Sequence, residues 1–278
     1  MAGQKTVLVT GAGGQTGKIV LEKLLAAKDK FSVRGLVHSS QSAQRVHQET
    51  GIPAQALYTA DITEAASPGL SEAMDGIDAL IIATSAVPKL KKLSLPGAIF
   101  GKITGGSGMP GFYYNQMPEQ VDWLGQKNQI DAAVKAGVKR VVLISSMGGT
   151  DPNHMLNRMG DGQILVFKRK AEEYLMSQKG VDFTILHPGG LTNDREGERE
   201  LVFGVDDDLM KSKERRIPRG DVAELCVQSL VLPEASNRSI DVVSRPGTAT
   251  TDYRALFKTM AQNCDYNRAP QSLPGVGE

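Results

Sequence analysis

A chain of 278 residues with 32 basic and 31 acidic side chains has a formal net charge of +1, so no overall field draws it to nucleic acid or an acidic membrane. Two cysteines, Cys226 and Cys264, offer no disulfide framework and point to a reducing compartment. His38, His47, His154 and His187 are scattered, with no H-E-x-x-H pattern or cysteine cluster, so no metal site is expected. Apolar runs are too short to span a bilayer, and the basic stretches around Lys89 and from Lys211 to Arg219 lack interleaved aromatics, so they read as solvated loops.

The length suits one α/β domain over residues 1–266, with a small C-terminal substrate-side region and a mobile tail at 267–278. The first strand begins within a few residues of Met1, which leaves no room for a signal or transit peptide. The expectation is a cytoplasmic protein, or a plastid one if a targeting segment has been removed.

Val7 to Val9 reads as a strand, and Lys18 to Leu25 has helical apolar spacing. Between them lies T-G-A-G-G-Q-T-G. In it Gly11 makes the tight turn, Gly14 lets a phosphate approach bare backbone, and Gly17 lets the helix pack on the sheet. With Gln15 and Thr16 at the helix start, this stretch is expected to hold a pyrophosphate at the positive end of the helix.

Phe31 to Val37 is the second strand, and its end selects the cofactor. His38-Ser39-Ser40-Gln41-Ser42, with Arg45 beyond, has no carboxylate for ribose hydroxyls, which favours NADP over NAD. His38 reads as a 2′-phosphate contact or as a surface residue. After a third strand, Ala56 to Thr59, Asp61 and Ile62 fit an adenine site, and Asp61 also fits a helix cap. Asp78 to Thr84 is a buried fourth strand that leads into Thr84 and Ser85, expected beneath the ribose and diphosphate.

From Lys89 to Pro118 a Gly- and Pro-rich loop covers the crevice; its Tyr113 and Tyr114 either touch substrate or pin the loop. A helix from Glu119 to Ala136 follows, with Trp123, Ile130 and Val134 inward and an outward Asp131–Lys135 pair. Val138 to Ser145 is the fifth strand, Asn153 to Gly162 a loop, Gln163 to Lys179 a helix and Val181 to Leu186 the sixth strand. The turn at Pro188 and Gly189 is expected against the nicotinamide. The chain then reads as loop to Arg216, helix to Leu232, a strand from Ser239 to Val243 and a helix from Thr251 to Asn263.

Together T-G-A-G-G-Q-T-G, the D-I-T after the third strand, T-S-A-V-P-K, P-E-Q-V-D-W-L-G-Q-K-N-Q-I-D-A-A, S-S-M-G-G, I-L-V-F-K-R-K-A-E and P-R-G-D-V-A-E resemble the NmrA-like group of atypical short-chain dehydrogenase/reductases, especially its plant and algal NAD(P)-binding proteins. The resemblance implies a doubly wound parallel-sheet Rossmann fold with strand order 3-2-1-4-5-6, a possible extra C-terminal strand, and bound NADP. The group usually has arginine where this chain has His38.

Typical members of the superfamily use Ser with Tyr-x-x-x-Lys. By that resemblance Ser145 and Lys168 take the serine and lysine roles, Lys168 also reaching the nicotinamide ribose, but position 164 is isoleucine, which donates no proton. Three functions stay open. One is an NADPH-dependent reductase of a small quinone, enone or carbonyl acceptor, its proton supplied by Lys168, water, His154, Tyr113 or Tyr114. The second is a non-catalytic NADP(H) sensor that binds a protein partner. In the third, the cofactor serves stability alone.

Overall fold

The protein is described here by a computed structural model over residues 3–65, 67–94, 110–260 and 262–268. Strand β1 (Lys5–Thr10) runs through the glycine turn into helix α1 (Gln15–Ala26), followed by β2 (Phe31–Val37), α2 (Ser40–Thr50), β3 (Leu57–Thr59), α3 (Pro68–Met74) and β4 (Ala79–Ile82). These strands pair in parallel in the order β3-β2-β1-β4. Side chains alternate across them, so the sheet feeds two cores. Val7, Val9, Ala79 and Ile81 enter one, while Leu8, Leu80 and Ile82 enter the other.

A short hairpin of β5 (Lys89–Leu90) and β6 (Phe112–Tyr113) stands off the sheet. A π-helical segment, Glu119–Gly125, then runs into α4 (Gln126–Lys135). After it come β7 (Arg140–Ile144), α5 (Met155–Arg158), α6 (Ile164–Met176), β8 (Asp182–Pro188), β9 (Gly190–Thr192), β10 (Glu200–Gly204), β11 (Arg216–Pro218), α7 (Arg219–Ser229), β12 (Arg238–Arg245) and α8 (Tyr253–Lys258). The sheet continues β4-β7-β8-β12-β11-β9, with β10 antiparallel on β12. The first six positions are the expected Rossmann order, with β7 and β8 as the fifth and sixth strands and β12 as the extra one.

On one side α1 and α7 close the core with Leu21, Leu24, Leu225 and Cys226, all fully buried. On the other, α3, α4 and α6 contribute Leu70, Ile130 and Leu175. Each such side chain supplies roughly 1.5–3 kcal/mol on burial.

Three local expectations are corrected. The stretch from Thr192 to Arg216 holds β10 and the adjoining ends of β9 and β11, short strands with little periodicity of their own, whose pairing is with β12 or, for β9 and β11, with each other. The single helix from Glu119 begins as a π-helix, and its inner face carries Asp122, Gln126, Gln129, Ile130 and Ala133, whereas Val134 is exposed. Asp131 pairs with Lys127 at 2.7 Å, one turn before it, instead of Lys135. Half of the 89–118 loop, residues 95–109, and the tail from 269 lie outside the described residues. Among the described residues, no helix is long and apolar enough to cross a membrane.

Candidate functional site

The glycine turn sits where β1 and β4 part, at the carboxyl edge of the parallel strands, the place where doubly wound sheets bind ligands. Gly11 has φ of +68°, and a Cβ there would stand 2.6 Å from the Ala83 carbonyl oxygen. A Cβ on Gly17 would lie 2.2 Å from the Gly11 oxygen. The fold itself demands both. Gly14 differs: it is exposed, and a Cβ on it would meet only the Gly11 oxygen at 3.2 Å. It caps α1 without a side chain, so the first N–H groups of that helix face outward with the positive end of its dipole.

A cavity of about 290 Å³ opens beside this turn, lined by Gly11, Gly14, His38, Ser42, Arg45, Asp61, Ile62, Thr84 and Ser85 among others. Arg45 leans across the turn, its Nη2 donating to the Gly13 carbonyl at 3.2 Å. Ser39 lies outside the cavity lining, because its hydroxyl caps α2 by accepting from the Ser42 N–H at 3.3 Å. Asp61 accepts from the backbone and hydroxyl of Thr63 at 2.9 and 2.7 Å and from Gln116 at 3.3 Å. Burial opposes ionisation of its carboxyl, but those hydrogen bonds and the nearby His38 outweigh it and lower the pKa. Asp61 thus shapes its turn and faces the cavity as well.

A second cavity, about 250 Å³, shares Ala83, Thr84 and Ser85 with the first and completes one crevice. Thr16, Tyr114, Ser145, Ile164, Lys168, Pro188 and Gly189 line it. Lys168, buried on α6, pairs with the fully buried Asp122 of the π-helical segment at 2.9 Å. The other oxygen of Asp122 accepts from the Ala86 N–H at 2.9 Å. Gln126 donates to the Thr84 carbonyl at 3.0 Å and Gln129 to the Thr84 hydroxyl at 3.1 Å. One polar stripe therefore holds the loop after β4 and the lysine together.

Beneath this cavity runs a buried network. Ser145 at the end of β7 donates to Glu172, which also accepts from Tyr266 at 2.8 Å and meets His187 Nε2 at 3.0 Å. The other ring nitrogen of His187 contacts Asp241 at 3.1 Å. Burial works against both charges, yet the mutual attraction holds Glu172 down at about 2 and His187 well above its usual value, the hydrogen bonds adding in the same sense. His187, Asp241 and Cys264 form the one trio among the described residues with potential metal-ligating atoms gathered within 4.8 Å. These atoms hydrogen-bond to one another, with the Cys264 sulfur 3.5 Å from His187 and 3.7 Å from Asp241.

Of the residues singled out in the sequence, Gly11, Gly14, His38, Asp61, Ile62, Thr84 and Ser85 meet at the first cavity, and Thr16, Thr84, Ser85, Ser145, Lys168, Pro188 and Gly189 at the second. Gln15, Gly17 and Ser39 line neither. His154 spends its Nδ1 on the Leu156 N–H at 3.3 Å, and Tyr113 is exposed. Sequence reasoning missed Asp122, Gln126, Gln129 and Glu172. The 122-126-129 spacing of polar residues on one helical face was the available signal for the first three.

The crevice fits a nicotinamide dinucleotide: a bare glycine at a helix N-terminus for phosphate, a cavity that carries His38, Ser42 and Arg45 on one side and a mainly apolar one with a paired lysine on the other. A family model described as NAD(P)H-binding matches residues 11–233. Sanguinarine reductase of Eschscholzia californica is 48% identical over 268 residues, covering 91% of this chain and 94% of that protein. An uncharacterised chloroplastic protein of Arabidopsis thaliana is 49% identical over 257 residues, 91% of this chain and 74% of its own length. A putative NAD-dependent epimerase/dehydratase from Bacillus halodurans shares the fold, with a TM-score of 0.65 and 21% identity over 92% of this chain and 100% of that one. Fold, crevice and relatives agree that the chain belongs to the NAD(P)H-binding family and is an NAD(P)-dependent oxidoreductase.

Proposed function

We propose that the protein is an NADPH-dependent reductase of a small conjugated acceptor, a quinone, enone or carbonyl compound, that works without the usual catalytic tyrosine. The observation that carries this reading is the second cavity, where Lys168, Ser145, Pro188 and Gly189 converge under mainly apolar walls at the end of a dinucleotide crevice. Reduced nicotinamide supplies two electrons and a hydrogen there. Lys168, fixed by Asp122, presents a positive charge that orients the nicotinamide ribose and favours charge developing on the acceptor. Ser145 closes the cavity floor, with its hydroxyl tied to Glu172. Pro188 and Gly189, in the lining of the same cavity, would lie beside the nicotinamide ring.

The preference for NADP rests on Arg45, His38 and Ser42, which put a guanidinium, an imidazole and a hydroxyl in the adenosine cavity with no carboxylate on that strand end. The relative named for sanguinarine reduction supports a flat, conjugated acceptor. The chloroplastic relative supports the plastid as a site of action beside the cytosol.

A second reading has its own observation. Val87, Leu90, Leu93, Tyr113 and Met117 are exposed apolar side chains before and after the part of the crevice loop outside the described residues, as a redox sensor with a protein partner requires.

The test follows NADPH and NADH oxidation against quinones, enones, aldehydes and sanguinarine, with cofactor affinity measured by calorimetry. Turnover that prefers NADPH by tenfold or more, with that preference collapsing in Arg45→Ala, is the expected result. Tight NADPH binding without turnover of any acceptor would refute the reductase and favour the sensor.

A further inference from the structure

Reduction of a carbonyl to an alcohol needs a proton besides what the nicotinamide provides, and the groups around the second cavity differ sharply in whether they can give one. Ile164 has none. The hydroxyl of Ser145 is directed to Glu172, and Lys168 is drawn to Asp122. Thr16, Thr84, Ser85 and Ser146 offer only aliphatic hydroxyls, far weaker acids than a phenol, and those of Ser85 and Ser146 already donate to backbone carbonyls. Tyr114 is the exception. Its ring lines the cavity, yet its hydroxyl is buried and has no hydrogen-bond partner among the described residues. A buried donor left without a partner costs on the order of 1–3 kcal/mol, so its persistence calls for a ligand that restores the bond.

Its position is set firmly. Tyr114 packs on the turn before α6, where a Cβ on Gly162 would stand 2.5 Å from ring atom Cε2 and one on Gly160 would stand 3.1 Å away. That turn carries Gly160, Asp161 and Gln163 at φ of +60°, +54° and +47°, left-handed backbone at two non-glycine residues, with Gly162 between them at −83°. Such strain clusters where a site requires a shape. The bare glycines let the ring lie flat beside the helix that bears Ile164 and Lys168.

We infer that Tyr114, reaching in from the crevice loop, is the proton donor that replaces the tyrosine missing at position 164. The inference rests on the reductase reading above. As the acceptor carbon gains a hydrogen with both electrons, the carbonyl π bond opens onto oxygen, and that oxygen takes the proton of the Tyr114 hydroxyl as its O–H bond breaks. A proton taken up from solution then restores the tyrosine hydroxyl, so that each turnover consumes one proton. Burial, and after it the Asp122 charge, raises the pKa of Tyr114. The phenol therefore stays protonated at neutral pH and acts as donor, not base.

The experiment compares wild type with Tyr114→Phe, which keeps the ring on Gly160 and Gly162, in NADPH calorimetry, steady-state turnover and turnover in deuterated water. A positioned general acid is worth about 10²–10⁴ in rate. The expected result is a kcat loss of roughly a hundredfold or more, an unchanged NADPH dissociation constant, and a solvent isotope effect on kcat that differs between the two proteins. Turnover within threefold of wild type, or a loss carried by NADPH affinity alone, would overturn the assignment while leaving the reductase intact. A wild type that reduces nothing on the panel would overturn the reductase and the role of Tyr114 with it.

Discussion

Replacing Lys168 by methionine tests the core of the site, and its cost can be worked out from the pair it breaks. The ammonium lies 2.9 Å from Asp122, with side-chain exposures of 8% and 0%. Without it, the Asp122 carboxylate keeps the hydrogen bond from Ala86 but no countercharge, and breaking a buried pair this way costs about 3–5 kcal/mol. Urea unfolding followed by circular dichroism should therefore show Lys168→Met losing about 3–5 kcal/mol. Asp122→Asn on top of it should restore much of the loss, because the amide removes the stranded charge and can still accept from Ala86. A loss below about 1 kcal/mol, or single-variant losses that add within ~0.5 kcal/mol, would refute the reasoning. The double variant also supplies the fair background for activity, since lost turnover in Lys168→Met alone mixes chemistry with instability.

Two further outcomes follow from the geometry. Gly14→Ala should fold with near-native stability but lose NADPH affinity tenfold or more by calorimetry, because its Cβ meets little of the protein and projects toward the phosphate; Gly11→Ala, at positive φ and 2.6 Å from the Ala83 oxygen, should fold poorly. The folded pKa of His187 is raised, so its protonation stabilises fully below the unfolded value of ~6.5 and fades as pH rises toward the folded one, with a slope of up to about 1.4 kcal/mol per pH unit. Glu172, depressed to about 2, stabilises above its unfolded value and gives way only in acid, so it adds no slope in this range. Denaturation between pH 6.5 and 8 should accordingly show wild type losing stability more steeply than His187→Gln; parallel profiles would exclude a charged His187 between Glu172, Asp241, Cys264 and Tyr266.

The parts legible in the sequence are those written locally. Val7 to Leu25 carries strand, turn and helix within a few residues of one another, so the role of each glycine follows from spacing alone. Ile164 likewise marks the missing tyrosine four places before Lys168. What stayed hidden depends on distant partners. Glu172 reads as one acid on a charged helix, and only folding brings it to Ser145, His187 and Tyr266, between 15 and 94 residues away. In the sequence Asp122 is one acid early in a helix, where acids usually serve the dipole, whereas here the segment turns it inward to Lys168. Tyr114 could be named as a candidate, but its bare hydroxyl and its glycine bed depend on the fold.

The helix that runs from the π-helical segment into α4 also sets the phase of the site. One residue on an α-helix is a rotation of about 100°, so spacings of four and then three residues put Asp122, Gln126 and Gln129 on a single face, spread over about 60°. Asp122 faces Lys168 and Ala86 while Gln126 and Gln129, farther along, face Thr84. The lysine and the loop beneath the dinucleotide are thereby kept in register by the winding of a single helix, and a one-residue deletion in that segment would put the two halves of the crevice out of step without touching either.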